Sequence, residues 1–112
     1  MLKRIFRLRK KSSYQAVFAD GKNYSVKHVA MYVLNGPKRF GFIASKKVGN
    51  SVQRNRARRL MREVIRLHLP EIRNDIQIIL IARASIKGVS YMDIEKSMMN
   101  ILKRANALKK SE

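Results

Sequence analysis

The hydrophobic positions of this chain fall into short runs whose spacing switches from helical to strand-like and back. Tyr14, Val17 and Phe18 recur at the spacing that puts three side chains on one helix face. Ser12 or Ser13 is placed to cap that helix and Gly21 to end it. From Ser25 to Leu34 the pattern alternates: Val29, Met31 and Val33 point one way, His28, Ala30, Tyr32 and Leu34 the other. The turn residues Asn35, Gly36 and Pro37 follow. A second alternating run, Phe40 to Lys46, sets Phe40, Phe42 and Ala44 against Gly41, Ile43 and Ser45. The two runs read as an antiparallel hairpin. Residues 22–28 leave room for an additional short strand.

Beyond Gly49 and Asn50, Ser51 is the expected N-cap of a helix running to about His68 and stopped by Pro70. Ile76 to Ala82 is almost wholly aliphatic, the mark of a strand buried on both faces and hence central. Ser90 caps a last helix, with Asp93 completing a capping box, and Ile94, Met98, Ile101, Ala105 and Leu108 form its apolar stripe. Residues 1–11 read as a flexible basic arm. The order is α-β-β-α-β-α, and the fold class is α+β: one domain over residues 1–112, an α/β sandwich with helices packed on a central mixed sheet.

Charge changes the picture. The chain carries 26 Lys and Arg against 7 acids, a formal net charge of +19. Self-repulsion on this scale disfavours a compact state, and a polyanionic partner relieves it. Nucleic acid comes first and an anionic membrane surface second. Cysteine is absent, which rules out disulfides and thiolate metal sites. No apolar run approaches the roughly 20 residues of a membrane span, and the basic N-terminus makes a poor signal peptide. These features read as a soluble, monomeric, cytoplasmic protein.

The charge concentrates between Lys46 and Arg66, where eight Lys or Arg residues face one acid, Glu63. At about 100° per residue, Ala57, Leu60, Met61, Val64 and His68 share one side of the helix, with Ile65 and Leu67 at its edges. Asn55, Arg58, Arg59, Arg62 and Arg66 take the opposite arc, and Arg54 and Arg56 flank the apolar stripe. Lys46, Lys47 and Asn50 lie just upstream. Guanidiniums hold phosphates bidentately, as lysines cannot. The plainer reading, a solvated basic face, suits a run balanced by acids better than this one. Composition does not choose between RNA and DNA.

Tyr14, Phe18, Tyr32, Phe40 and Phe42 are candidates for a surface on which single-stranded bases stack. The competing assignment puts Phe18 and Phe42 in the core. Neither His28 nor His68 has a catalytic partner in the sequence, the acids are scattered, and no Walker loop or zinc spacing is present. No residue is assigned as catalytic or as a metal ligand.

The stretch "SKKVGNSVQRNRARRLMREVIR" resembles the signature of the bacterial RNase P protein subunit. Ser45, Lys46, Lys47, Gly49, Asn50, Arg54, Asn55, Arg56, Arg58, Arg59, Leu60 and Arg62 meet that pattern. "FRLRKKSSYQAVFADGK" resembles the family's first helix and "IILIAR" its late strand, so the likeness covers almost the whole chain. It implies an accessory subunit of ribonuclease P, in which a catalytic RNA removes the 5′ leader from precursor tRNA. Mg2+ would be held mainly by that RNA. The resemblance gives contact with the catalytic RNA to Asn50, Arg54, Asn55, Arg56, Arg58, Arg59 and Arg62. It gives leader binding to Tyr14, Phe18, Tyr32, Lys46 and Lys47, in a cleft between the first helix and the sheet. It also implies a left-handed β-α-β crossover, against the usual rule. Two departures are small: Tyr14 stands where Phe is commoner, and the turn "NGPKRF" is short. A structural ribosomal protein fits size and charge equally well, and a stand-alone nuclease has no supporting constellation.

Overall fold

The computed structural model describes residues 2–110. Met1 of the expected arm, and Ser111 and Glu112 of the tail, lie outside the described residues. The elements are α1 (Lys11–Asp20), β1 (Lys22–Ser25), β2 (Val29–Asn35), β3 (Arg39–Ala44), α2 (Ser51–His68), β4 (Ile76–Ala82) and α3 (Tyr91–Arg104). The sheet order is β1-β2-β4-β3, with β4 antiparallel to β2 and parallel to β3. The α+β sandwich with a mixed sheet is therefore the observed fold, with one more strand, β1, inside the segment left open for it.

The expected hairpin between the two alternating runs does not form, because β4 lies between them. Ile76, Ile78, Ile79, Leu80 and Ala82 are all buried, and only an interior position covers both faces of such a strand. The hairpin partner of β2 is β1. Its tip turns through His28 at φ 74, in the left-handed region that His tolerates better than most residues. The His28 ring is nearly buried, with Nδ1 3.0 Å from Ser85 Oγ.

The register sorts the side chains. Val33, Ile78 and Phe40 form one row across the sheet, and Met31, Leu80 and Phe42 another. Both pack into the core with Ala57, Met61, Val64 and Ile65 of α2 and Ile94, Met98, Ile101 and Leu102 of α3. The intervening row, Tyr32, Ile79 and Gly41, faces the opposite side. There Leu8, Val17 and Ile79 form a smaller buried cluster under α1. α1 thus lies on one face of the sheet and α2 with α3 on the other.

The N-terminal segment is not the free arm that its charge suggested. Leu2 and Leu8 are buried, Arg4–Phe6 form a 3-10 turn, and the Leu8 N–H donates to Phe40 O at 2.8 Å. Two leucines anchor the segment along the outer edge of β3. Two caps also differ. Lys10 holds the N-cap position of α1 without a side-chain bond, so Ser12 and Ser13 lie inside the first turn. Asn50, not Ser51, caps α2, because Gln53 stands where it can return a bond to the Asn50 N–H. Ser90 caps α3 as expected, accepting from the Asp93 N–H, but among the described residues no bond from the Ser90 N–H to the Asp93 side chain completes the expected capping box.

Lys38, in the turn before β3, is a fastener that no periodicity reveals. Its Nζ donates to Leu69 O and Ile72 O, each at 2.7 Å, and to Asn74 Oδ1 at 3.2 Å. These carbonyls lie where the chain leaves α2, the end of a helix that lacks internal partners. Burial, and then the Lys109 charge, hold the Lys38 pKa below its ordinary value. Lys38→Met keeps the stem but strands the carbonyls, and it is expected to cost about 1–2 kcal/mol. A lower urea midpoint at unchanged m-value is the measurement that checks this.

Candidate nucleic-acid interface

Gly49 opens α2. It sits at φ 141, and a Cβ there would fall 1.9 Å from Gln53 Oε1, the atom that accepts from Asn50 N–H. Only glycine fits beneath the capping box. The Asn50 side-chain oxygen accepts from Gln53 N–H, so this expected contact residue spends that oxygen on shaping the loop. Just upstream, Lys46–Val48 form a 3-10 turn pinned by buried Val48 and by Ser45, leaving Lys46 and Lys47 exposed.

Along α2 the apolar side follows the helical wheel, except that Leu67 is 50% exposed. The arginines then differ in what already holds them. Arg66 forms a bidentate pair with Glu63. Arg56 Nη2 donates to Val89 O at 2.9 Å, tying α2 to the segment before α3. Arg58 donates to Ala44 O and to Asn55 Oδ1. The Arg62 guanidinium sits 5.6 Å above the Phe42 ring centre, a cation–π contact. Burial, and then the Arg7 and Arg58 charges, lower the Arg62 pKa. Arg59 is exposed, and Arg54 Nε is buried without a hydrogen-bond partner. Each guanidinium has five N–H donors, so Arg54, Arg56, Arg58 and Arg59 all keep donors for an external anion.

The aromatics divide by face. Phe40 is buried beneath α2, and Phe42 packs against the same core, so neither joins the second surface. Tyr14, Phe18 and Tyr32 gather on the α1 side. Phe18 and Tyr32 meet edge to face, with ring centres 4.9 Å apart at 75°. Phe18 is 39% exposed, which takes it out of the core. Tyr14 lies flat against the β3 backbone at Gly41, where a Cβ would come within 2.6 Å of its hydroxyl. Burial raises the Tyr14 pKa. Tyr14, Tyr32, Ile43 and Ile81 stay partly exposed around the buried cluster. The result is an apolar floor with aromatic walls, a surface on which unpaired bases can stack.

His68, at the end of α2, bridges two carboxylates: Nε2 lies 2.8 Å from Glu95 Oε2, and Nδ1 contacts Glu71. Tyr91 donates to the same Glu95 carboxylate. The hydrogen bond to Glu95 leads the causes that raise the His68 pKa. With the folded pKa raised, the bridge's contribution is full below the unfolded value near 6.5 and is lost as pH rises through the folded value. Unfolding free energy is expected to fall by about 0.5–1 kcal/mol over that rise. His68→Gln should flatten the dependence in denaturation measured at several pH values.

The chain is similar in sequence and in fold to known proteins. A family model described as Ribonuclease P matches residues 2–106. The "Ribonuclease P protein component" of Clostridioides difficile is 39% identical over 103 residues, covering 88% of this chain and 90% of that one. Its counterpart in Natranaerobius thermophilus is 34% identical over 113 residues, 98% of each chain. Among solved structures, the RNase P protein of Staphylococcus aureus superposes with a TM-score of 0.84 at 29% identity, covering 100% of this chain and 98% of that one.

Proposed function

Because the chain belongs to the ribonuclease P protein family, and so has a role in a tRNA-processing ribonuclease, we propose the specific task of each surface. The arginine face of α2 holds the catalytic RNA. The cleft of Tyr14, Phe18 and Tyr32 holds the single-stranded 5′ leader of precursor tRNA. Lys46 and Lys47, on the turn between β3 and α2, contact backbone phosphates. The observation that carries this reading is the separation of the two surfaces: guanidiniums with donors to spare on the α2 side of the sheet, partly exposed aromatics on the α1 side.

Two polyanions repel each other, and a strongly cationic protein between them lowers the counterion concentration that they need to associate. Hydrolysis of the phosphodiester leaves a 5′-phosphate on the tRNA, and in this reading the RNA supplies the reacting groups. Among the described residues no three His, Cys, Asp or Glu side chains cluster as a metal-ligand set. As the family resemblance implies, Mg2+ would be held mainly by the RNA, and no step is routed through an ion on the protein. Among the same residues no helix is long and apolar enough to cross a membrane.

The test is to isolate the tagged protein from cells and sequence the RNA that accompanies it. The expected result is one abundant structured RNA which, with the protein, trims precursor tRNA at low Mg2+. Ribosomal RNA alone would transfer the protein to the ribosome.

A further inference from the structure

Neither of the two surfaces above uses a third, basic groove. It lies between the docked N-terminal segment, the start of α1 and the start of β3, with a volume of about 750 Å³. Arg4, Arg7, Arg9, Lys10 and Arg39 line it, together with Ser13 and Leu8. No carboxylate lines it, and no ion pair among the described residues engages any of these five cations. Arg7 Nε is held by Leu2 O at 3.1 Å, and Ile5 stands 68% exposed on the wall.

Docking of the segment is thus electrostatically unfavourable. Burying Leu2 and Leu8 brings four like charges beside a fifth, Arg39. A charged segment with no acid to meet would stay in solvent unless apolar burial outweighed the repulsion. A bound polyanion removes that repulsion. Five cations spread around one open groove suit a chain of phosphates better than a single ion. Ile5 and the buried Leu8 are too little apolar surface for a membrane face, but Ile5 can contact a ribose or base. Leu8 lines the groove and belongs to the buried cluster against which Tyr14 and Tyr32 pack, so the two sites adjoin.

We propose that this groove binds the phosphodiester backbone of RNA, as a third contact surface beside α2 and the cleft. The choice of RNA rests on the function proposed above. Two strands have the required chemistry: the distal part of the leader, running on from the cleft, and a segment of the catalytic RNA.

The test uses the full chain with Arg4→Gln, Arg9→Gln and Arg39→Gln combined. All three side chains are exposed, so the urea midpoint is expected to stay unchanged or rise. Affinity is measured against salt for the catalytic RNA alone, and for the holoenzyme with precursor tRNAs carrying short or long leaders. A loss of about tenfold or more, with the salt slope smaller by about 2, is the expected result in one arm. Loss with the catalytic RNA identifies that strand; loss with the long leader only identifies the leader. A change under about twofold in both arms, with the unaltered chain binding normally, overturns the groove and leaves the proposed function intact. If the unaltered chain binds neither RNA, both readings fall.

Discussion

Replacing Arg54, Arg58 and Arg59 together by alanine is expected to weaken binding of the catalytic RNA by about a hundred- to a thousandfold at moderate salt. The estimate follows from three charge-assisted contacts at about 1–1.5 kcal/mol each. Arg56 is spared because its 2.9 Å bond to Val89 O ties α2 to the start of α3 more firmly than the 3.4 Å bond from Arg58 ties it to Ala44 O, and its loss would mix stability with affinity. The salt slope should fall by about 2–3. Lysine at the same three positions keeps the charge but not the two-pronged donor geometry, so it should restore only part of the affinity. Equilibrium titration at several salt concentrations checks both statements. Full recovery by lysine would reduce the arginine face to a diffuse positive field.

Tyr14→Leu with Phe18→Leu should act on a different quantity. Leucine keeps the apolar contact with the Val17 and Ile79 cluster but removes the flat faces on which bases stack. The preference of the holoenzyme for precursor over mature tRNA should fall by about ten- to a hundredfold, from stacking worth about 1–3 kcal/mol per base. Affinity for the catalytic RNA should stay within about twofold of the unaltered value. Gly41→Ala attacks the same site from below. The added Cβ would enter the Tyr14 ring, so the ring must move with no aromatic removed. Equal losses for precursor and mature tRNA would remove the leader from this cleft.

Much of this was readable in the sequence, and the physics says which parts. The almost wholly aliphatic β4 had to be central because nothing else covers both of its faces. The wheel of α2 placed its buried positions because a helix packed on a sheet shows one stripe to the core. Strand pairing was not readable, since alternation fixes which face a residue takes but not which strand lies beside it. The polar β1 carries no period at all, and only its bonds to β2 make it a strand. The docked segment escaped notice because Leu2 and Leu8 are six apart among cations, and two positions so far apart establish no period. Lys38 and His68 act through partners about 30 positions away, and no local pattern encodes those contacts. The aromatics were candidates as a set, but dividing them between core and cleft required the register that puts Phe40 and Phe42 on one face and Tyr32 on the other.

The central claim is that the leader lies in the α1 cleft while α2 grips the catalytic RNA. Photocrosslinking from 4-thiouridine placed in the leader of a bound precursor tRNA, with the attached peptides mapped by mass spectrometry, tests it directly. The account predicts crosslinks in the peptides that carry Tyr14, Phe18 and Tyr32, lost when a matching leader without the photoprobe competes. Leader crosslinks confined to Arg54–Arg62, with catalytic RNA crosslinking in the cleft, would contradict it.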